Sequence, residues 1–155
     1  MSKTNAVRIL ESKKIEHTLH TYEVDENDLS GTTVAYKIGV KEETVFKTLV
    51  ASGDKNGINV FCIPVTVELD LKKAAAASGN KKLELVKVKE LFSLTGYIRG
   101  GCSPVGMKKD YPVFLEETSQ LFDKIYISAG IRGMQIRLSP EDLRKLTNAK
   151  FADLI

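Results

Sequence analysis

The chain has no tryptophan, and only two cysteines, two histidines and four prolines in 155 residues. The cysteines, Cys62 and Cys102, are far apart and no Cys-x-x-Cys occurs. That excludes a disulfide scaffold and the usual zinc knuckles. His17 and His20 fall on one strand-like segment. A spacing of three sends them to opposite faces of a strand, so they do not chelate one metal together. No His-Glu-x-x-His, Walker loop, dinucleotide fingerprint or Asx-rich calcium loop is present. No apolar run approaches the roughly 18 residues of a membrane span. The densest are Val60 to Val65 and Ala74 to Ala77. The N-terminus, Met1-Ser2-Lys3-Thr4-Asn5, turns amphipathic at once and offers no signal-peptide core. These absences predict a reduced, cytoplasmic protein that does not engage a membrane.

What is present is ordinary globular composition, 43% hydrophobic and 28% charged. The length suits a single domain spanning residues 1–155, which buries about two thirds of its unfolded surface. The formal net charge of +3 hides an asymmetry. Residues 72–109 carry nine basic and two acidic side chains, whereas residues 1–71 carry eight and eleven. The basic block is Lys72, Lys73, Lys81, Lys82, Lys87, Lys89, Arg99, Lys108 and Lys109. Such a block either attracts a phosphate backbone or is a solvated face without a partner. Only Phe92 and Tyr97 interleave it, so RNA contact would be weak and salt-sensitive.

The elements alternate. Thr4 caps a helix over Asn5 to Lys13, with Val7, Leu10 and Lys14 spaced for one face. His17 to Val24 reads as a strand. An acidic turn, Asp25 to Asp28, leads past Gly31 to a short helix, Thr33 to Ile38, stopped by Gly39. Val45 to Ala51 and Asn59 to Pro64 read as strands joined through the polar turn at Ser52 to Gly57. Asp70 is an N-cap for Leu71 to Ser78, and Gly79-Asn80 ends that helix. Leu83 to Val86 reads as a strand, Lys87 to Leu94 as a helix, and Thr95 to Lys109 as a loop. Three more strands follow at Val113 to Glu116, Lys124 to Ser128 and Met134 to Leu138. Ser139-Pro140-Glu141-Asp142 opens a final helix. The pattern lacks a regular βαβ rhythm and predicts an antiparallel or mixed sheet wrapped by short helices.

Three positions carry candidate chemistry. Lys47 interrupts the apolar strand Val45 to Val50. Lysine is almost never fully buried without a partner. Its ammonium therefore either snorkels to solvent or lines a pocket and meets a substrate. The loop Gly100-Gly101-Cys102-Ser103-Pro104-Val105-Gly106 holds a serine outside any Gly-x-Ser-x-Gly elbow. Pro104 removes the N–H that would follow such a nucleophile, and Cys102 has no base signalled nearby. The loop is either a tight structural turn or a backbone cradle for a carbonyl or phosphate, with amides from Gly100 to Ser103. Ser128-Ala129-Gly130 closes a strand with small residues, which open space for a ligand or simply make a turn.

Several segments together resemble the YbaK/EbsC family, Cys-tRNA(Pro) deacylases related to the editing domain of bacterial prolyl-tRNA synthetases. They are Lys3 to Val7, Phe46-Lys47-Thr48-Leu49, Leu69 to Lys73, Thr95-Gly96-Tyr97, Gly100 to Lys109, Ser128-Ala129-Gly130 and Phe151-Ala152-Asp153. The resemblance runs over essentially the whole chain. It implies an α+β fold with a curved, barrel-like mixed β-sheet surrounded by short helices. It implies that Lys47 is the essential lysine and Gly100 to Pro104 the substrate loop. Tyr22, Ser30, Thr48, Ser128 and Gln135 fall at pocket positions of the family. Many relatives carry an aromatic residue where this chain has Ser30, and some an acidic one where it has Gln135. Cys102 falls where the family pattern accepts an apolar residue. The implied substrate is the 3′ aminoacyl end of mischarged tRNA, with prolyl-tRNA synthetase as a transient partner and no metal or organic cofactor. The implied reaction uses the cysteinyl thiol of the substrate against its own ester. Two other readings stay open: removal of alanine or another small amino acid, and a non-catalytic tRNA- or protein-binding module.

Overall fold

The computed structural model describes residues 3–155. Met1 and Ser2, part of the N-terminal stretch read above as lacking a leader, lie outside the described residues. Helix α1 (Asn5–Ser12) starts where the Thr4 hydroxyl accepts the Val7 N–H at 3.2 Å. It buries Ala6, Val7 and Leu10. Lys14, expected on that face, instead takes a positive φ of 56° and turns the chain out of the helix. Strand β1 (Thr18–Thr21) is shorter than expected. Helix α2 (Gly31–Ile38) begins two residues earlier than expected because Ser30, not a later residue, caps it.

Strands β2 (Phe46–Gly53) and β3 (Gly57–Pro64) form the expected hairpin, with pairing carried to Gly53 opposite Gly57. Helix α3 (Leu71–Ser78) is capped by Asp70, whose carboxylate accepts the N–H groups of Lys72 and Lys73. Strand β4 (Leu83–Leu85) and helix α4 (Val88–Thr95) follow, then the long loop. Strands β5 (Val113–Glu116), β6 (Ile125–Ser128) and β7 (Met134–Leu138) precede helix α5 (Pro140–Thr147). A last strand, β8 (Lys150–Ala152), was not expected. Its three residues are too few to show an alternation.

The strands form two sheets rather than one. A three-stranded antiparallel sheet has the order β1-β7-β6. A five-stranded mixed sheet has the order β4-β2-β3-β5-β8, parallel only between β3, β5 and β8. A single parallel bridge, Val45 to Tyr126, joins them. The architecture is the expected mixed α+β with short helices, but the strands do not close into a barrel. The main core lies where the sheets face each other, with Phe46, Val50, Val60 and Cys62 meeting Ile125, Ile127 and Ile136. A second core lies on the far face of the large sheet, where Phe61, Ile63 and Phe114 pack with Ala74 and Ala75 of α3.

Glu116 is a fully buried carboxylate at the end of β5. It accepts N–H bonds from Thr118 at 2.7 Å and Leu154 at 2.9 Å, which ties down the last residues of the chain. Glu116→Ala would leave a buried backbone donor without an acceptor, and should destabilise the fold by about 1–3 kcal/mol in urea denaturation. An unchanged midpoint would mean that the C-terminal segment contributes nothing to stability.

Candidate active site

Strand β2 is paired along its whole length to β3, but its other edge is open in the middle. Strand β4 covers only Ala51 to Gly53, and Tyr126 bridges only at Val45. The Val45 carbonyl accepts from Val65 of the β3 side. Antiparallel alternation then turns the N–H and C=O of Thr48 toward the open edge. The Val50 carbonyl obeys the same alternation, accepting the Val86 N–H on that side. A cleft of about 590 Å³ wraps this edge and is lined by every residue from Val45 to Val50. Lys47 and Thr48 leave opposite faces of the strand, so the cleft embraces the edge rather than lying on one face of the sheet.

The cleft gathers Ser30, Lys47, Thr48, Gly100, Cys102, Ser128 and Gln135 from positions scattered over the chain. Lys47 is half-buried, and its ammonium has no carboxylate or hydrogen-bond partner among the described residues. Gln135 stands opposite Ser128 in the small sheet, so their side chains share a face. Gln135 is 6% exposed, and its Oε1 is buried with no donor. A buried acceptor left unpaired carries a penalty of about 1–3 kcal/mol, which an incoming donor would relieve. Ser128 Oγ accepts the Gly130 N–H at 3.1 Å, which fixes the turn behind it. Thr48 Oγ1 lies 3.9 Å from Cys62 Sγ on the opposite face from Lys47.

The glycine loop contributes less to the cleft than its sequence suggests. Gly101 uses its N–H on the Ile98 carbonyl at 3.0 Å, so that amide is not free to cradle a ligand. Ser103 is fully buried and its hydroxyl accepts the Val105 N–H. Pro104 lines a different groove of about 770 Å³ between α1 and α5, which holds neither Lys47 nor Gln135. Tyr22 lines a small side cavity that shares Leu29, Val34 and Gly100 with the cleft. Ser30 reaches the cleft, but its hydroxyl donates to Asp28 at 2.7 Å and also caps α2. Thr33 adds a second hydroxyl to Asp28 at 2.6 Å, and these bonds hold the Asp28 carboxyl below its ordinary pKa. Burial pushes the Cys102 thiol up to about 12, so at neutral pH it is protonated and a poor nucleophile.

Sequence reading missed the residues that hold the loop in place. Tyr97 donates to the Val105 carbonyl at 2.5 Å, and its ring lies under Gly130. A Cβ on Gly130 would come within 2.9 Å of that ring, and the φ of +101° there also favours glycine. Arg132 donates to the Arg99 carbonyl at 2.9 Å and to Glu26 at 2.5 Å, stapling the loop to the acidic turn. Leu85, Val86, Val88 and Leu91 form an apolar wall that the sequence marked only as element residues. His17 and His20 stay outside the cleft, held by the Ile15 carbonyl and the Thr18 hydroxyl. Among the described residues no group of three His, Cys, Asp or Glu side chains is placed to hold a metal ion.

Two outcomes test this geometry. Both thiols, Cys62 and Cys102, are buried, and both are pushed up to about 12. At pH 8 the folded protein should leave Ellman's reagent unreacted, and both thiols should titrate once the chain is denatured. A rapidly reacting thiol in the folded state would show Cys102 to be ionised and accessible. A Cβ on Gly101 would lie 3.1 Å from the backbone of Ile131 and Arg132. Gly101→Ala should therefore cost about 1–3 kcal/mol in thermal denaturation and make Cys102 reactive, because backbone yields less readily than a side-chain tip.

Comparison with known proteins agrees with this arrangement. An Enterococcus faecalis protein provisionally named Cys-tRNA(Pro)/Cys-tRNA(Cys) deacylase EbsC is 49% identical over 152 residues, covering 98% of this chain and 93% of the relative. A crystal structure of a candidate trans-editing enzyme for prolyl-tRNA synthetase superposes with a TM-score of 0.83 at 27% identity, covering 99% of this chain and 98% of the other. A hypothetical protein at 22% identity shares the fold, with a TM-score of 0.88 over 97% of this chain and 99% of the other. Residues 29–146 match the aminoacyl-tRNA editing domain, and that stretch contains the entire lining of the cleft. The chain belongs to the aminoacyl-tRNA editing domain family.

Proposed function

We propose that this protein is a trans-editing deacylase that removes cysteine from mischarged Cys-tRNA(Pro), and from Cys-tRNA(Cys) as well. One observation carries the reading: near-full-length likeness to EbsC coincides with a cleft that has an unpartnered lysine and no ionised nucleophile. An enzyme without its own nucleophile can still act on a substrate that brings one. The cysteinyl sulfur attacks its own ester carbonyl, and a carbon–sulfur bond forms. The bond from that carbon to the ribose oxygen breaks, and the oxygen leaves with a proton as free tRNA. The protein's task is then to position the ester and stabilise charge on it.

In this reading Lys47 holds its ammonium against the oxygen-rich ester and phosphate end of the substrate. The open edge at Thr48 offers one main-chain donor and one acceptor to the aminoacyl group. Amides at Gly100 and Cys102 face the carbonyl, with Gly101, Ser103 and Pro104 supporting the loop from behind. Ser128 and the lone Gln135 carbonyl face the substrate amine, and Tyr22 and Ser30 close the outer wall. A prolyl-tRNA synthetase separates cysteine from proline by about the 1–3 kcal/mol that one methylene allows, so a second site is needed to clear the error. A net charge of +3 gives only modest attraction to tRNA, which favours transient recruitment beside the synthetase in the cytoplasm.

The test is deacylation of Cys-tRNA(Pro), Cys-tRNA(Cys) and Ala-tRNA(Pro) in parallel. Cysteine should be released from both tRNAs and alanine retained, because alanine has no thiol to cyclise. Lys47→Ala should slow cysteine release by about a hundredfold or more at unchanged melting temperature, the scale of losing one charge-stabilising donor. Release of alanine instead would overturn the cyclisation. Release of neither would leave a tRNA- or protein-binding module.

A further inference from the structure

We propose that Phe92, backed by Lys108, is a stacking platform for the unpaired nucleotides that precede the terminal adenosine of tRNA. The inference deepens the deacylase reading and rests on it. Val88 and Leu91 of α4 line the cleft, and Phe92 follows Val88 by four residues. That spacing places Phe92 on the same helix face, one turn beyond the cleft rim. Phe92 is 57% exposed, Val88 61%, Leu85 46% and Ile98 48%. An apolar strip of this kind beside an open cleft fits a ligand that continues out of it.

The surrounding charge selects the ligand. The Lys108 ammonium sits 5.2 Å from the Phe92 ring centroid, over one face. Lys108 is held there by its own N–H, which donates to the Thr95 carbonyl at the end of α4. Lys87, Lys89 and Arg99 are exposed on the same segment, and Arg99 also lines the cleft. The segment carrying all of them, residues 72–109, has nine basic side chains against two acidic ones. An exposed aromatic ring among cations binds single-stranded nucleic acid, because bases stack on the ring while phosphates meet the charges. Every tRNA ends in a short unpaired tail that includes its last three nucleotides. With the last one at Lys47, the chain leading back toward the acceptor stem must cross the cleft rim, and the α4 side is the basic one.

Fluorescence anisotropy with uncharged tRNA(Pro), whole or trimmed of its last three nucleotides, reads the platform without chemistry. Wild type should bind whole tRNA at least about tenfold more tightly than trimmed tRNA, because trimming removes the stacked base together with the terminal nucleotide at Lys47. Phe92→Ala should weaken whole-tRNA binding about tenfold while leaving trimmed-tRNA binding and the melting temperature unchanged, so that the preference shrinks, and Phe92→Tyr should keep it in full. Lys108→Gln should weaken binding and lower the salt slope by about one. With Cys-tRNA(Pro), Phe92→Ala should raise KM about tenfold with a smaller effect on kcat. Equal binding of the two RNAs by wild type, or a preference undiminished in Phe92→Ala, overturns the platform. Binding that depends on Phe92 with no ester cleavage by wild type would overturn the deacylase reading and leave the platform standing.

Discussion

An open strand edge is a row of unpaired amides and carbonyls, and a protein that keeps one must shelter it. Here the opening around Thr48 follows from how the two sheets meet. They share one bridge at Val45, and β4 returns to β2 only at Ala51. Between those two points the edge is roofed by α2 on one side and by the β4–α4 segment on the other. The cleft is therefore the gap left by incomplete pairing. Closing the sheets into a full barrel would fill the strand edge with ladder bonds and remove the site.

The walls are held by long side chains that reach across the fold to backbone carbonyls and a carboxylate. Tyr97 links Val105 to Gly130, and Arg132 links Arg99 to Glu26. These two staples hold the glycine loop from opposite ends. Side chains whose sequence invited a chemical role serve this framework instead. Ser103 closes a turn, Cys102 is buried as a neutral thiol, and Gly101 binds Ile98. A site built this way can position a reactive substrate far better than it can attack one, which is the demand that self-cleavage of a cysteinyl ester makes.

Much of the fold is legible where local rules dominate. Asp70, Ser139-Pro140 and the polar turn between β2 and β3 announce their elements through capping and turn chemistry, and the structure keeps those boundaries closely. The division into two sheets is not local. It depends on which strands find each other across the chain, and alternation within one strand says nothing of its neighbour. β8 is invisible for the same reason, since Lys150 to Ala152 is a strand only because Phe114 to Glu116 lies beside it. At the site, Lys47 is legible because a charge in an apolar strand needs an explanation. The orphaned Gln135 carbonyl is not, because whether an amide is satisfied depends on neighbours distant in sequence.

Charge along the chain gains meaning from this geometry. The acidic first half could repel an incoming polyanion, yet its carboxylates nearest the cleft are already committed. Asp28 accepts from Ser30 and Thr33, and Glu26 pairs with Arg132. The Arg132 pair neutralises Glu26, and the hydroxyl bonds anchor Asp28 against the start of α2. The uncommitted charge near the cleft is then mostly cationic, on the opposite rim along α4 and the loop that follows. Ser30 belongs to this division, since its hydroxyl caps α2 and donates to Asp28, which a phenylalanine side chain could not do. The bond anchors the Asp28 carboxyl and, with that from Thr33, holds its pKa down, so the wall is firm and its negative charge stays tied to the start of α2.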